Sequence, residues 1–398
     1  MEYPLSFATQ AVHAGERLPK PDFTPVNTPI YQSVSFIYDT IETMDAIFGG
    51  ERSGYVYTRY GNPTVAALER AVATLEGGET AVAFASGMAA IHAVLLALEV
   101  VSGTAVVAAQ DLYGATSTLL TTIFTRQGVN VRLVDMTDLD QVESALKELR
   151  PRVVLAEMLS NPLLKVLDLP QVADLAHARG ALLVVDSTFT SPYLLQPLRQ
   201  GADFVVHSTT KCLGGHGDVT GGIVVAPATY RQRLETVGRL VGGILSPHEA
   251  YLTLRGIKTL PLRVQQQCHN ALTIAQWLDG HPRIRKVHYP GLEGHPGHAL
   301  AQRLLREGCF GSVLSFEIAG GNRERIFTFL NALRLCLLAT TLGDIYTELL
   351  YPAMSSHRML PPEQRAKVGI NDALVRLSAG IEGAHDVTAD LGQALANI

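Results

Sequence analysis

Massed positive charge is the first thing missing. Asp and Glu (37) outnumber Lys and Arg (32), the formal net charge is −5, and the basic residues are scattered. No field exists to draw a phosphodiester backbone, and nucleic acid is not expected as a partner. Cysteine is scarce too: Cys212, Cys268, Cys309 and Cys336 stand far apart, with no C-x-x-C pair and no Cys/His ligand spacing. That excludes a disulfide scaffold and argues against zinc. No apolar run is long enough to span a bilayer, and AIHAVLLALEVV and GALLVVDSTF read instead as a buried helix and a buried strand. The stretch MEYPLSFATQAVHAGE carries neither a basic segment followed by an apolar one nor an Arg-rich amphipathic pattern, so a cytoplasmic location is expected. His295 and His298 in GHPGH have no neighbouring carboxylates and read as polar loop, so no metal is expected.

What is present is apolar and regular. Hydrophobic residues make up 47% of the 398, enough for a large core and more than one domain. From about residue 62, short β-branched runs alternate with helix-periodic segments: TAVAFAS (80–86), TAVVAAQ (104–110), NVRLVDM (130–136), RVVLAEM (152–158), ALLVVDST (181–188), FVVHST (204–209) and GGIVVAP (221–227). Strands apolar on both faces, separated by helices, predict a mostly parallel seven-stranded sheet in an α/β domain, residues 61–255. A long helix-like stretch around 247–280, the sparser strands RKVHYP and GSVLSFEI, and the closing LVRLSAGIE predict a smaller α+β domain, residues 256–398. Residues 1–60 are rich in Pro and Tyr without clear periodicity, and are expected to form an arm lying on something else.

The chemistry gathers at strand ends, where open α/β sheets bind ligands. In DFVVHSTTKCLGGHGD a buried strand runs into Ser208, Thr210 and Lys211. A desolvated lysine there can form an imine with an aldehyde while the hydroxyls bind a phosphate. ALLVVDST likewise ends in Asp186, an acid able to pair with a protonated ring nitrogen and keep the ring electron-withdrawing. Asp186 lies 25 residues before Lys211, room for one helix and one strand. In FASGMAAI, small residues open a helix at Ser86-Gly87-Met88, leaving amides free for phosphate.

With these segments in place, the chain closely resembles the Cys/Met-metabolism family of fold type I pyridoxal phosphate enzymes, with the aspartate aminotransferase-like fold. The likeness runs nearly end to end, through TQAVHAGE, YTRYGNPT, SGMAAI, DLYGAT, VVDSTF, HSTTKCLGGHGD, LRGIKTLPLR and LVRLSAGIE. The resemblance implies that Lys211 holds pyridoxal 5′-phosphate as a Schiff base and shuttles protons. Tyr113 would stack on the ring, Asp186 would pair with its nitrogen, and Asn161 would approach its phenolic oxygen. Gly87, Met88, Ser208 and Thr210 would hold the phosphate, joined by Tyr57 and Arg59 from a neighbouring subunit. Arg376 would bind the substrate carboxylate with Thr341 nearby. A homo-oligomer follows, a dimer with shared sites that pairs into a tetramer.

Within the family, members that act on cystathionine resemble one another in placing acids at positions that are Val56 and Thr340 here. An unpaired ammonium in a desolvated pocket is costly. The expectation is therefore a carbon–sulfur lyase performing γ-elimination on L-methionine, closest to methionine γ-lyase and cystathionine γ-lyase, and giving 2-oxobutanoate, ammonia and a thiol. The alternatives are cystathionine γ-lyase, or γ-replacement as in cystathionine γ-synthase and O-acetylhomoserine sulfhydrylase. Two departures stand out: Ala115 occupies a position that is cysteine in methionine γ-lyases, and Leu159 one that is commonly proline. A non-catalytic protein on this fold would have lost Lys211, Asp186 or Arg376, and all three are present.

Overall fold

The computed structural model describes residues 5–15, 24–355, 358, 363, 365 and 368–398. Each of the seven β-branched runs is a strand: β1 (Thr80–Phe84), β2 (Ala105–Ala109), β3 (Asn130–Val134), β4 (Val153–Glu157), β5 (Leu182–Asp186), β6 (Phe204–Ser208) and β7 (Gly222–Ala226). They form one sheet in the order β1-β7-β6-β5-β4-β2-β3. Only β7 runs against its neighbours, pairing antiparallel with β1 and with β6, while the remaining pairs are parallel. The central strands are buried on both faces, as their unbroken Val, Leu and Ala content requires.

Helices cover the sheet, and their boundaries follow local chemistry. Helix Pro63–Glu76 begins where Asn62 Oδ1 accepts from Thr64 N at 2.9 Å and Pro63 presets the first turn. It stops at Gly77, whose φ of +69° suits a residue without Cβ. Its Leu68, Val72 and Leu75 are fully buried, each contributing about 1.5–3 kcal/mol. His207 on β6 meets Glu76 Oε1 at 2.5 Å, both side chains buried, which ties this helix to the strand that precedes Lys211.

The second sheet comprises β8 (Ile284–His288), β9 (Val313–Ile318), β10 (Leu337–Leu338), β11 (Glu348–Leu350) and β12 (Leu374–Ser378), in the order β10-β11-β12-β9-β8. It is antiparallel apart from the short β10–β11 pair. The apolar core is continuous through the strands of both sheets.

Two segments differ from the sequence reading. The stretch around 247–280 is two helices, Pro247–Ile257 and Leu260–Asp279. Pro261 has no amide hydrogen to extend the first helix, yet fits the first turn of the second. The first packs on helix Pro63–Glu76 and the second on β8, β9 and the C-terminal helix Ala384–Leu395, so the packing changes partner close to residue 256. Residues 1–60 are also not wholly irregular. Helix Phe7–His13 packs on helices Pro63–Glu76 and Leu260–Asp279, and helix Ile41–Phe48 lies further along. Between them Ile37 is 95% exposed and Val26 77%, and Ile41, which opens the second helix, is 71% exposed.

Among the described residues no helix is long and apolar enough to cross a membrane, and no group of three or more His, Cys, Asp and Glu is placed to hold a metal ion. His298 Nδ1 lies 2.7 Å from Pro290 O and His295 Nδ1 accepts from Gly297 N at 3.1 Å, so both histidines build their turn. All four cysteines are buried thiols.

Candidate functional site

At the carboxyl ends of β4, β5 and β6 a cavity of about 280 Å³ opens between the two sheets. Ser86, Gly87, Met88, Tyr113, Asn161, Asp186, Ser208, Thr210, Lys211, Thr340 and Arg376 all line it. The chain thus brings together most of the residues singled out from sequence, across nearly 300 positions.

One end of the cavity is built for an anion. Helix Gly87–Ala97 starts there, and its Ser86 cap accepts from Ala89 N at 3.1 Å, leaving the Gly87 and Met88 amides at the helix N-terminus. Gly87 approaches β6 so closely that a Cβ on it would sit 3.0 Å from Ser208 Cβ. Ser208 ends that strand, and Thr210 Oγ1 accepts from Gly221 N at 3.0 Å, which orients its hydroxyl.

Opposite chemistry lies at the strand ends. Asp186 Oδ1 accepts from Thr188 N at 2.9 Å, and burial raises its carboxyl above the usual range while the Thr188 hydrogen bonds oppose the rise. Glu157, at the end of β4, is raised well above its ordinary value, first by burial and then by Asp186.

Lys211 Nζ donates to Thr341 Oγ1 at 2.9 Å. Burial, then the nearby Arg376 charge, lower its affinity for a proton, which favours the free amine that a nucleophile needs. Arg376 comes from β12 of the smaller sheet and is 4% exposed. Its Nη2 donates to Thr341 O at 2.8 Å and its Nη1 to Asn161 Oδ1 at 3.3 Å, while its Nε has no partner. Burial pulls this guanidinium down to about 10, so it stays charged at neutral pH and invites an anion.

Three expected residues stand elsewhere. Val56 and Arg59 line a separate cavity of about 560 Å³ beside Phe84 and Arg239. Tyr57 is 38% exposed, with the Arg59 guanidinium 5.5 Å from its ring centroid. Within one chain none of the three reaches the Lys211 cavity. In the other direction, Glu157, Thr188, Phe189, Ile91 and Leu342 line the Lys211 cavity although sequence reading did not select them. For Glu157 a signal existed, since it ends an apolar run as Asp186 does.

These residues fit pyridoxal phosphate. A cradle narrowed by Gly87 and two hydroxyls could hold its phosphate, Asp186 its ring nitrogen, and Lys211 its aldehyde carbon.

Comparison with known proteins agrees with this fit. Residues 8–396 match the family described as Cys/Met metabolism PLP-dependent enzyme. The L-methionine gamma-lyase of Fusobacterium nucleatum subsp. polymorphum is 43% identical over 393 residues, 98% of either chain. The cystathionine gamma-lyase of Bacillus subtilis (strain 168) is 43% identical over 374 residues, 94% of this chain and 95% of the relative. The crystal structure of cystathionine gamma synthase from Xanthomonas oryzae pv. oryzae in complex with aminoacrylate and cysteine superposes with a TM-score of 0.93 at 40% identity, covering 99% of both chains.

Proposed function

Because the chain belongs to the Cys/Met metabolism family of pyridoxal phosphate-dependent enzymes, we propose that it is a carbon–sulfur lyase that cleaves L-methionine by γ-elimination. The overall change is methionine plus water to 2-oxobutanoate, ammonia and methanethiol. When bound, pyridoxal phosphate supplies a carbonyl that captures an amine and a ring that withdraws electrons from the α-carbon.

The protein's part follows from the cavity. Arg376 holds the substrate carboxylate through the fork of its guanidinium. Lys211 Nζ, which would hold the cofactor carbonyl until substrate frees it, would take the α-proton and then a β-proton, and burial and the Arg376 charge weaken its hold on a proton of its own. The Tyr113 hydroxyl assists departure of the γ-sulfur. Asp186 keeps the ring nitrogen protonated.

The observation that carries the substrate choice is the uncharged wall made by Ile91, Leu159, Phe189, Thr340 and Leu342; the acids lining the cavity are Glu157 and Asp186, at the strand ends. A thioether gains from such a wall, whereas the distal ammonium of cystathionine would be desolvated without a counter-charge. Release of 2-oxobutanoate, measured with L-methionine and L-cystathionine at equal concentrations, is expected to be faster with methionine. Faster release from cystathionine would sink this reading. Silence with both, together with turnover of O-acetylhomoserine and sulfide, would replace elimination by γ-replacement.

The site is completed, on this reading, by a second copy of the chain. Tyr57 and Arg59 lie on the segment whose Ile37 and Val26 are bare, and they reach across to the partner's phosphate cradle. Arg59→Ala is expected to weaken pyridoxal phosphate binding about 10- to 100-fold, the value of one or two charge-assisted hydrogen bonds. Tyr57→Phe should weaken it less. Unchanged cofactor affinity in both variants, read by fluorescence titration, would remove the shared site.

A further inference from the structure

Glu157 does more than line the cavity as an acid. It ends β4 as Asp186 ends β5, and the two are register partners across this parallel pair, so their carboxyls share the floor of the cavity. Glu157 Oε1 accepts from the backbone N of Tyr113, 44 residues away in sequence, at 2.5 Å.

Tyr113 needs that hold. It stands between β2 and the short helix Gly114–Thr118, at the N-cap position, where its amide lies outside the helical ladder. Its residue is 46% exposed although it lines the cavity. A ring so weakly packed takes its place from its backbone, and Glu157 supplies the acceptor for that backbone amide.

We propose that Glu157 is a positioning residue: its carboxyl oxygen anchors the Tyr113 backbone at the strand-end floor and thereby sets where the tyrosine ring lies over the bound cofactor. The inference rests on the reading in which Tyr113 stacks on pyridoxal phosphate. Two buried carboxyls on paired strand ends cannot both ionise cheaply. Burial and the Asp186 charge raise Glu157, whereas Asp186 is steadied by Thr188. Glu157 acts as an acceptor toward Tyr113, and an amide of the same length keeps that acceptor oxygen in place without the acid.

The test compares the full-length wild type with Glu157→Gln and Glu157→Asp, each saturated with pyridoxal phosphate, by visible circular dichroism of the bound cofactor and by kcat and KM. Glu157→Gln keeps the acceptor in place without the acid. It is expected to retain the wild-type dichroism and a kcat within about threefold. Glu157→Asp keeps the acid but withdraws the oxygen by one methylene. It is expected to change the dichroic band and lower kcat about 10- to 100-fold, with a smaller effect on KM. Wild-type dichroism and kcat in Glu157→Asp, or greater damage in Glu157→Gln than in Glu157→Asp, would overturn the proposal. A wild type that binds cofactor without any visible dichroism would overturn the stacking reading on which it rests. A wild type with normal dichroism and no turnover of methionine leaves the cofactor comparison decisive and sinks the substrate assignment alone.

Discussion

Lys211→Ala is expected to lower turnover by about 10⁴-fold or more while leaving the chain folded. The magnitude follows from two roles resting on one nitrogen. On the proposed reading, Nζ would be both the attachment point for the cofactor carbonyl and, once freed, the base that takes the α-proton. The fold should survive because Lys211 makes, among the described residues, one side-chain hydrogen bond, to Thr341 Oγ1. The measurement is product release at saturating substrate and cofactor, accompanied by the absorbance spectrum. The variant should bind pyridoxal phosphate through its phosphate without the spectral form of the lysine-linked cofactor. Turnover near the wild-type value would require a different attachment residue and a different mechanism.

Arg376 should produce the second largest loss, of a different kind. Arg376→Ala is expected to reduce kcat/KM for an amino acid substrate by about 10²-fold or more, since charge-assisted hydrogen bonds are each worth about 1.5–3 kcal/mol. Arg376→Lys should recover only part of this, because an ammonium keeps the charge but not the planar fork. Both variants also leave Asn161 Oδ1 and Thr341 O without the donors they meet at 3.3 and 2.8 Å, so some loss of order around the cavity is expected. Cofactor affinity, in contrast, should change little. Equal KM values for wild type and Arg376→Ala would mean that the substrate carboxylate is held elsewhere.

The parts of this site that local pattern alone exposed share one property, that they end or directly follow apolar runs, whereas Tyr113, Asn161 and Arg376 were legible only through the family resemblance. Asp186 and Ser208 close β5 and β6, and Lys211 follows three residues later. The period of a strand fixes its end, and the end of a parallel strand is where the ligand lies, so local pattern sufficed. Glu157 closes β4 in the same way. It escaped notice because its importance depends on Tyr113, a neighbour in space and not in sequence. The Lys211–Thr341 and Arg376–Asn161 contacts join the two sheets, and no periodicity encodes how one sheet sits on another. Helix boundaries show a similar division. Pro261 announced a break that hydropathy alone smoothed over, whereas helix Phe7–His13 is too short for its periodicity to stand out and is fixed by packing on two distant helices.

The pairing of β1 with β7 sets a timetable for synthesis. Phe84 at the end of β1 pairs with Gly222 at the start of β7, about 140 residues later, and among the described strands β1 pairs with no other, its further contact being the isolated bridge of Phe84 to Ile244. At about 5–20 residues per second, a nascent chain carries the apolar segment Thr80–Phe84 for roughly 7 to 28 seconds before its partner has been made. During that interval an unpaired strand edge is open to other chains. Ser86 and Gly87 follow β1 after Ala85, so the proposed phosphate cradle cannot close earlier either. Cofactor capture is therefore a late event in the life of each chain. Helix Pro63–Glu76, already complete when β1 emerges and packed against it in the native fold, is the element available to shelter the strand while it waits.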